Sequence, residues 1–195
     1  MNRNIWTSLL ATPILCPCLA IITLSDASAQ EQIFSPKVDY DAGDGPLSVV
    51  AADFDGDGIV DLAGTNRQSN DLAVFLGIGD GEFQAAGTFE TGHGPWDALA
   101  ADFDEDGYPD LAVTNEYHDS ISILIGDDAG VFETAATLTV GDGPLGAVAA
   151  DFDGDAHLDL AVGNYNSDDV WIFLGNGDGT FGAPDFFLKA FEALP

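Results

Sequence analysis

Residues 53–61 read Asp-Phe-Asp-Gly-Asp-Gly-Ile-Val-Asp, with aspartate at positions 1, 3, 5 and 9 of a nine-residue stretch and Gly58 at position 6. Forty-nine residues on, Asp102 to Asp110 read DFDEDGYPD, and after forty-nine more, Asp151 to Asp159 read DFDGDAHLD. A fixed period of this length marks a chain built from repeated supersecondary units.

The rest of the chain keeps the same register. Gly43-Asp44-Gly45-Pro46 matches Gly92-His93-Gly94-Pro95 and Gly141-Asp142-Gly143-Pro144. Gly77 matches Gly126 and Gly175, Gly81 matches Gly130 and Gly179, and Phe83 matches Phe132 and Phe181. Each unit holds four strand candidates, which in the first unit are 47–52, 61–65, 72–76 and 83–91. The acidic stretch separates the first two, a polar turn at 66–70 the next two, and a glycine-rich hairpin at 77–81 the last two. The third candidate is apolar on both faces, as a strand covered by sheets on both sides must be. The first is rich in alanine (Ala51, Ala52; Ala98, Ala100, Ala101; Ala147, Ala149, Ala150), which suits an innermost strand where sheets converge. Four strands per repeat is the pattern of a β-propeller blade. The expected fold is therefore all-β, with three blades of four antiparallel strands. Closed propellers have about four to eight blades, so three blades imply a partial propeller or one closed by an oligomer.

The expected divisions are a signal peptide at 1–29, a lone N-terminal strand at 30–42, blades at 43–91, 92–140 and 141–189, and a tail at 190–195. In the first segment Arg3 precedes an apolar run from Ile5 to Leu24, broken by Pro13 and Pro17, and Ala27-Ser28-Ala29 offers a cleavage site before Gln30. Both cysteines, Cys16 and Cys18, fall there, so the exported chain has no disulfide. The third blade loses the repeat pattern after Pro184.

Composition narrows the partners. The chain of 195 residues carries 34 acidic and 4 basic side chains, a formal charge of −30, which excludes nucleic acid and anionic membrane surfaces as partners. Its hydrophobic content of 46% is too high for a disordered acidic chain.

The acidic stretches read as calcium loops. Calcium takes about six to eight oxygen ligands, and carboxylates at positions 1, 3, 5 and 9 with the carbonyl of position 7 wrap one centre. The candidate ligands are Asp53, Asp55, Asp57, Ile59 (carbonyl) and Asp61; then Asp102, Asp104, Asp106, Tyr108 (carbonyl) and Asp110; then Asp151, Asp153, Asp155, His157 (carbonyl) and Asp159. Position 12 holds Gly64, Val113 or Val162 where an EF-hand needs glutamate. Zinc and copper want His or Cys, and neither recurs in register. Up to three calcium ions (Ca2+) are expected. The third site should be weaker, because Ala156 replaces the position-6 glycine and a left-handed conformation there costs about 1–2 kcal/mol.

These loops, with LGNGDGTF at Leu174–Phe181 and FGAP at Phe181–Pro184, resemble the FG-GAP/VCBS repeat, the blade of integrin alpha-chain propellers and of many secreted bacterial proteins. The resemblance covers residues 33 to about 184. It implies that the acidic loop joins the first two strands of each blade and binds calcium. It also implies a secreted or cell-surface module that binds a protein or glycan in adhesion.

Catalytic constellations are scarce. His93, His118 and His157 stand at three different repeat positions, no cysteine follows residue 18, and the evident carboxylate pairs are metal-ligand candidates. Trp96 and Trp171 also differ in repeat position and read as blade packing. The expected function is thus non-catalytic binding. An accessory domain of a secreted polysaccharide-acting hydrolase is one alternative, and a structural unit that self-associates through open blade edges is another.

Overall fold

The computed structural model describes residues 38–184 and the backbone of the strand Phe186–Lys189. The signal-peptide segment, the start of the lone N-terminal strand and the tail lie outside the described residues. Among the described residues the first sheet orders β1 (Pro46–Ala52), β2 (Asp61–Asn66), β3 (Asp71–Gly79) and β4 (Glu82–Glu90) as β1-β2-β3-β4. The second orders β5 (Pro95–Ala101), β6 (Asp110–Asn115), β7 (Ser120–Gly126) and β8 (Phe132–Thr139) in the same way. The third does so with β9 (Pro144–Ala150), β10 (Asp159–Asn164), β11 (Asp169–Phe173) and β12 (Phe186–Lys189). All pairings are antiparallel. These are propeller-type blades, and the described residues are all-β apart from one turn of 3-10 helix at Glu116–His118.

One detail departs from the sequence expectation. Val38–Ala42 form no strand. Tyr40 nevertheless packs edge-on to Phe75 and Phe83, both at 5.8 Å, and its hydroxyl accepts the Phe83 N–H at 3.0 Å. The third blade does complete its sheet, because Phe186–Lys189 pair with Asp169–Ile172 although the repeat pattern is lost. A β-forming run beside an open strand edge suffices for that.

The blades lie side by side through their first strands, β1 against β5 and β5 against β9. Alanines at Ala98, Ala100, Ala147 and Ala149 let these strands approach. Ser48 Oγ donates to Asp97 Oδ1 at 2.6 Å, joining equivalent positions of the first two blades. Between blades lie two apolar cores. One combines Phe54, Leu72 and Val74 with Leu111, Val113, Leu124 and Phe132. The other combines Phe103, Ile121 and Ile123 with Leu160, Val162 and Phe173. The loop phenylalanine of one blade meets the hairpin phenylalanine of the next edge-on: Phe54 with Phe132 at 5.4 Å and Phe103 with Phe181 at 5.3 Å. The third strand is buried on both faces in β7 and only half-buried in β11, where no fourth sheet covers it among the described residues.

Candidate metal centre

Each acidic loop starts where a first strand ends and finishes on the first residue of the second strand, so Ala52 pairs with Asp61, Ala101 with Asp110 and Ala150 with Asp159. The three loops share one hydrogen-bond scheme. The position-1 carboxylate accepts the N–H of position 6: Asp53 from Gly58 at 2.9 Å, Asp102 from Gly107 at 3.0 Å, Asp151 from Ala156 at 3.1 Å. Position 3 accepts from position 5, as in Asp55 from Asp57 at 3.1 Å. Position 5 accepts from position 7, which ties down the peptides of Ile59, Tyr108 and His157 at 2.7, 2.8 and 2.9 Å.

Two positions in each loop are left-handed. Position 6 is Gly58 (φ 87°), Gly107 (98°) or Ala156 (79°), and position 4 is Gly56 (72°), Glu105 (62°) or Gly154 (87°). Loops two and three therefore each hold one strained residue with a Cβ. Position 4 also faces position 7 of the next loop. A side chain on Gly56 would meet Tyr108 at 2.9 Å, whereas Glu105 Oε1 bonds His157 Nδ1 at 2.6 Å. That bond, above all else, raises the proton affinity of His157.

In each loop three carboxylates converge, with one oxygen of each within 4.8 Å of the others. They are Asp53, Asp55 and Asp57 in the first, Asp102, Asp104 and Asp110 in the second, and Asp151, Asp153 and Asp159 in the third. Asp61, Asp106 and Asp155 fall outside these groups. The position-9 aspartates have a role that the spacing alone does not display. Asp61 is fully buried, and its carboxylate accepts two backbone N–H groups, from Phe54 at 2.6 Å and Gly77 at 2.7 Å. Asp110 does the same with Phe103 at 2.7 Å and Gly126 at 2.9 Å, and Asp159 with Phe152 at 2.7 Å and Gly175 at 2.9 Å. Each clamps its loop to the end of the third strand. The glycine it holds has no room for a side chain, since a Cβ on Gly126 would stand 2.6 Å from the carbonyl of Pro109. The recurrence of Gly77, Gly126 and Gly175 sixteen residues after the clamp is the sequence signal for this contact.

Crowding sets the electrostatics. Burial raises the Asp55 pKa, with the charges of Asp57, Asp61 and Asp53 adding to it. Asp104 is raised likewise by burial and by Asp106 and Asp102. Asp110 is pushed up to about 6, first by burial and then by Asp104 and Asp102, against the opposing pull of the Gly126 and Phe103 N–H groups. Carboxylates that resist ionisation at close quarters are the environment a cation relieves. The donor set is all oxygen and suits a hard divalent ion. Asp53 Oδ1 is buried and accepts no hydrogen bond, which leaves it free to face one. The residues therefore fit calcium. A bound ion would neutralise the cluster and cross-link the ends of the first two strands.

The family model of the FG-GAP-like repeat matches residues 53–113 and 102–162, two overlapping stretches that each run from one acidic loop through the next. The chain belongs to the FG-GAP-like repeat family. Among solved structures, a protein from Lactobacillus plantarum aligns with a TM-score of 0.58 at 21% identity, over 76% of this chain and 43% of that one. The Photorhabdus luminescens Tc holotoxin pore aligns with a TM-score of 0.45 at 20% identity, over 75% of this chain and 7% of that one. Comparison with curated proteins gives no match. FG-GAP-like repeats are typical of extracellular proteins. Among the described residues of this one, no helix is long and apolar enough to cross a membrane.

Proposed function

We propose that this FG-GAP-like repeat chain is a secreted, calcium-stabilised binding module that engages an extracellular protein or glycan and carries no catalysis of its own. The observation that carries the calcium reading is the recurrence, in three loops, of three carboxylates with oxygens within 4.8 Å of one another, on one shared hydrogen-bond scheme. Repeats of this family often bind calcium. Extracellular modules work with dissociation constants of about 0.1–1 mM, so loops of modest affinity are filled outside the cell. Export rests on the segment 1–29 and on the family's usual location. The non-catalytic reading rests on the histidines, which stand at unrelated repeat positions.

Calorimetry of metal-stripped protein titrated with calcium tests the central claim. Up to three binding events are expected, with the third loop weakest. Absence of heat at millimolar calcium overturns it. Mass spectrometry of the exported chain should find Gln30 at the N-terminus. Glycan and protein arrays, probed with calcium and with chelator, then identify the partner.

A further inference from the structure

We propose that the two outer blade faces are halves of one interface and pair between copies: the third-blade face around Val148 and Phe152 docks on the first-blade face around Val49 and Phe83 of a second copy. Two sets of the three blades found among the described residues would make a ring of six, within the range of about four to eight that closed propellers adopt.

Within the chain the same junction is built twice, blade one to blade two and blade two to blade three. At each, the loop phenylalanine of the leading blade is buried against its neighbour: Phe54 is 0% exposed and Phe103 2%, but Phe152, the third in the series, is 46% exposed. Val148 is 61% exposed, whereas its counterparts Val50 and Leu99 are half-buried. The following blade shows the converse. Val49 of the first blade is 66% exposed, and its counterpart Ala98 is buried. Pro46 and Gly81 are exposed, while Pro95, Pro144, Gly130 and Gly179 are buried. Each outer face thus presents what the other lacks. At the blade one–two junction Phe132 sits between two aromatics of the leading blade, Phe54 and Phe89, both at 5.4 Å. Among the described residues, Phe83 has only the second kind of aromatic neighbour. Tyr40, one repeat ahead of Phe89, stands in that place, and the place of the loop phenylalanine is the one Phe152 would fill.

A polar contact keeps the same register. Asn70 accepts the N–H of Gly94, and Asp119 that of Gly143, both at 2.9 Å. Asp168 holds the same left-handed backbone at φ 56° on the outer face, and Gly45 is the matching glycine of the first blade. A head-to-tail junction with this pairing repeats an interface the chain already makes, and such heterologous contacts close into rings when the rotation permits.

Sedimentation velocity of the full chain across a wide concentration range, with calcium and with chelator, tests the idea. A concentration-dependent dimer in either condition is expected, and a monomer in both overturns it. Val148→Asp and Val49→Asp alter one face each at exposed positions. Each alone should abolish the dimer while circular dichroism stays that of the parent. An equimolar mixture of the two should form a weaker dimer, because one native junction remains available between them. A dimer that survives either single variant, or a mixture that stays monomeric, overturns the head-to-tail pairing. Calorimetry reads the calcium loops separately, so failure of one proposal leaves the other standing.

Discussion

Aspartates one turn of loop apart carry different loads. Asp57 is exposed and sits among the convergent carboxylates, whereas Asp61 is fully buried and holds two backbone N–H groups. Asp57→Ala should weaken calcium binding at the first loop and leave the metal-free melting temperature nearly unchanged. Asp61→Ala strands two buried donors, each costing about 1–3 kcal/mol, so it should lower stability by about 3 kcal/mol or more without any metal present. Chemical denaturation in chelator separates the two outcomes. Ala156 sits at φ 79°, and Ala156→Gly should stabilise by about 1 kcal/mol by removing the Cβ from a left-handed position, with tighter calcium binding at the third loop. The sequence marked positions 1, 3, 5 and 9 as one set of carboxylates, of which the structure gathers three in each loop and leaves out Asp61, Asp106 and Asp155. The clamping duty of position 9 was not, because its second partner lies sixteen residues away across the sheet. Nor was the left-handed position 4, since Glu105 interrupts the glycine series that would have displayed it.

At the level of the loop, proton and metal compete for one set of oxygens. Asp55, Asp104 and Asp110 have raised pKa values in the fold, Asp110 to about 6, against about 3.9 in an unfolded chain. A raised carboxylate means that the folded state binds the proton more tightly than the unfolded state. Metal-free protein is therefore favoured below about pH 4 and loses that stability as pH rises towards about 6. Calcium requires the ionised form, so its affinity should climb across the same window. Thermal melts of chelated protein at stepped pH, paired with calcium titrations at the same values, should show opposite slopes. Parallel slopes would remove the crowded-carboxylate account. Strand placement was legible because turns and strands use different residues: aspartate and glycine at the connections, β-branched and aromatic residues between them. The observed strands β1 to β4 start or end within three residues of the segments read from the sequence. The largest shift is in β3, which continues to Gly79 because the hairpin turn needs only Asp80 and Gly81, both left-handed.

Across the three blades, one repeat position can have very different worth depending on whether another blade covers it. Phe54, Phe103 and Phe152 are the same residue in the same loop, yet only the first two are buried in an interblade core. Burial of a phenylalanine is worth about 3–5 kcal/mol when truncated to alanine. Phe54→Ala and Phe103→Ala should therefore each cost about that much, each also removing an edge contact, to Phe132 and to Phe181 respectively. Phe152→Ala, measured in dilute solution, should cost under about 1 kcal/mol, since an exposed side chain loses little. The repeated phenylalanine does not itself display this unequal cover, which arises from stacking order: two loops have a following blade among the described residues and the third has none. Equal losses at all three positions in a dilute monomer would mean that the third loop is covered from within the chain, and would refute both the outer-face assignment and the docking it supports. A graded result, with two large losses and one small, follows if stability in this repeat resides between blades rather than within each loop.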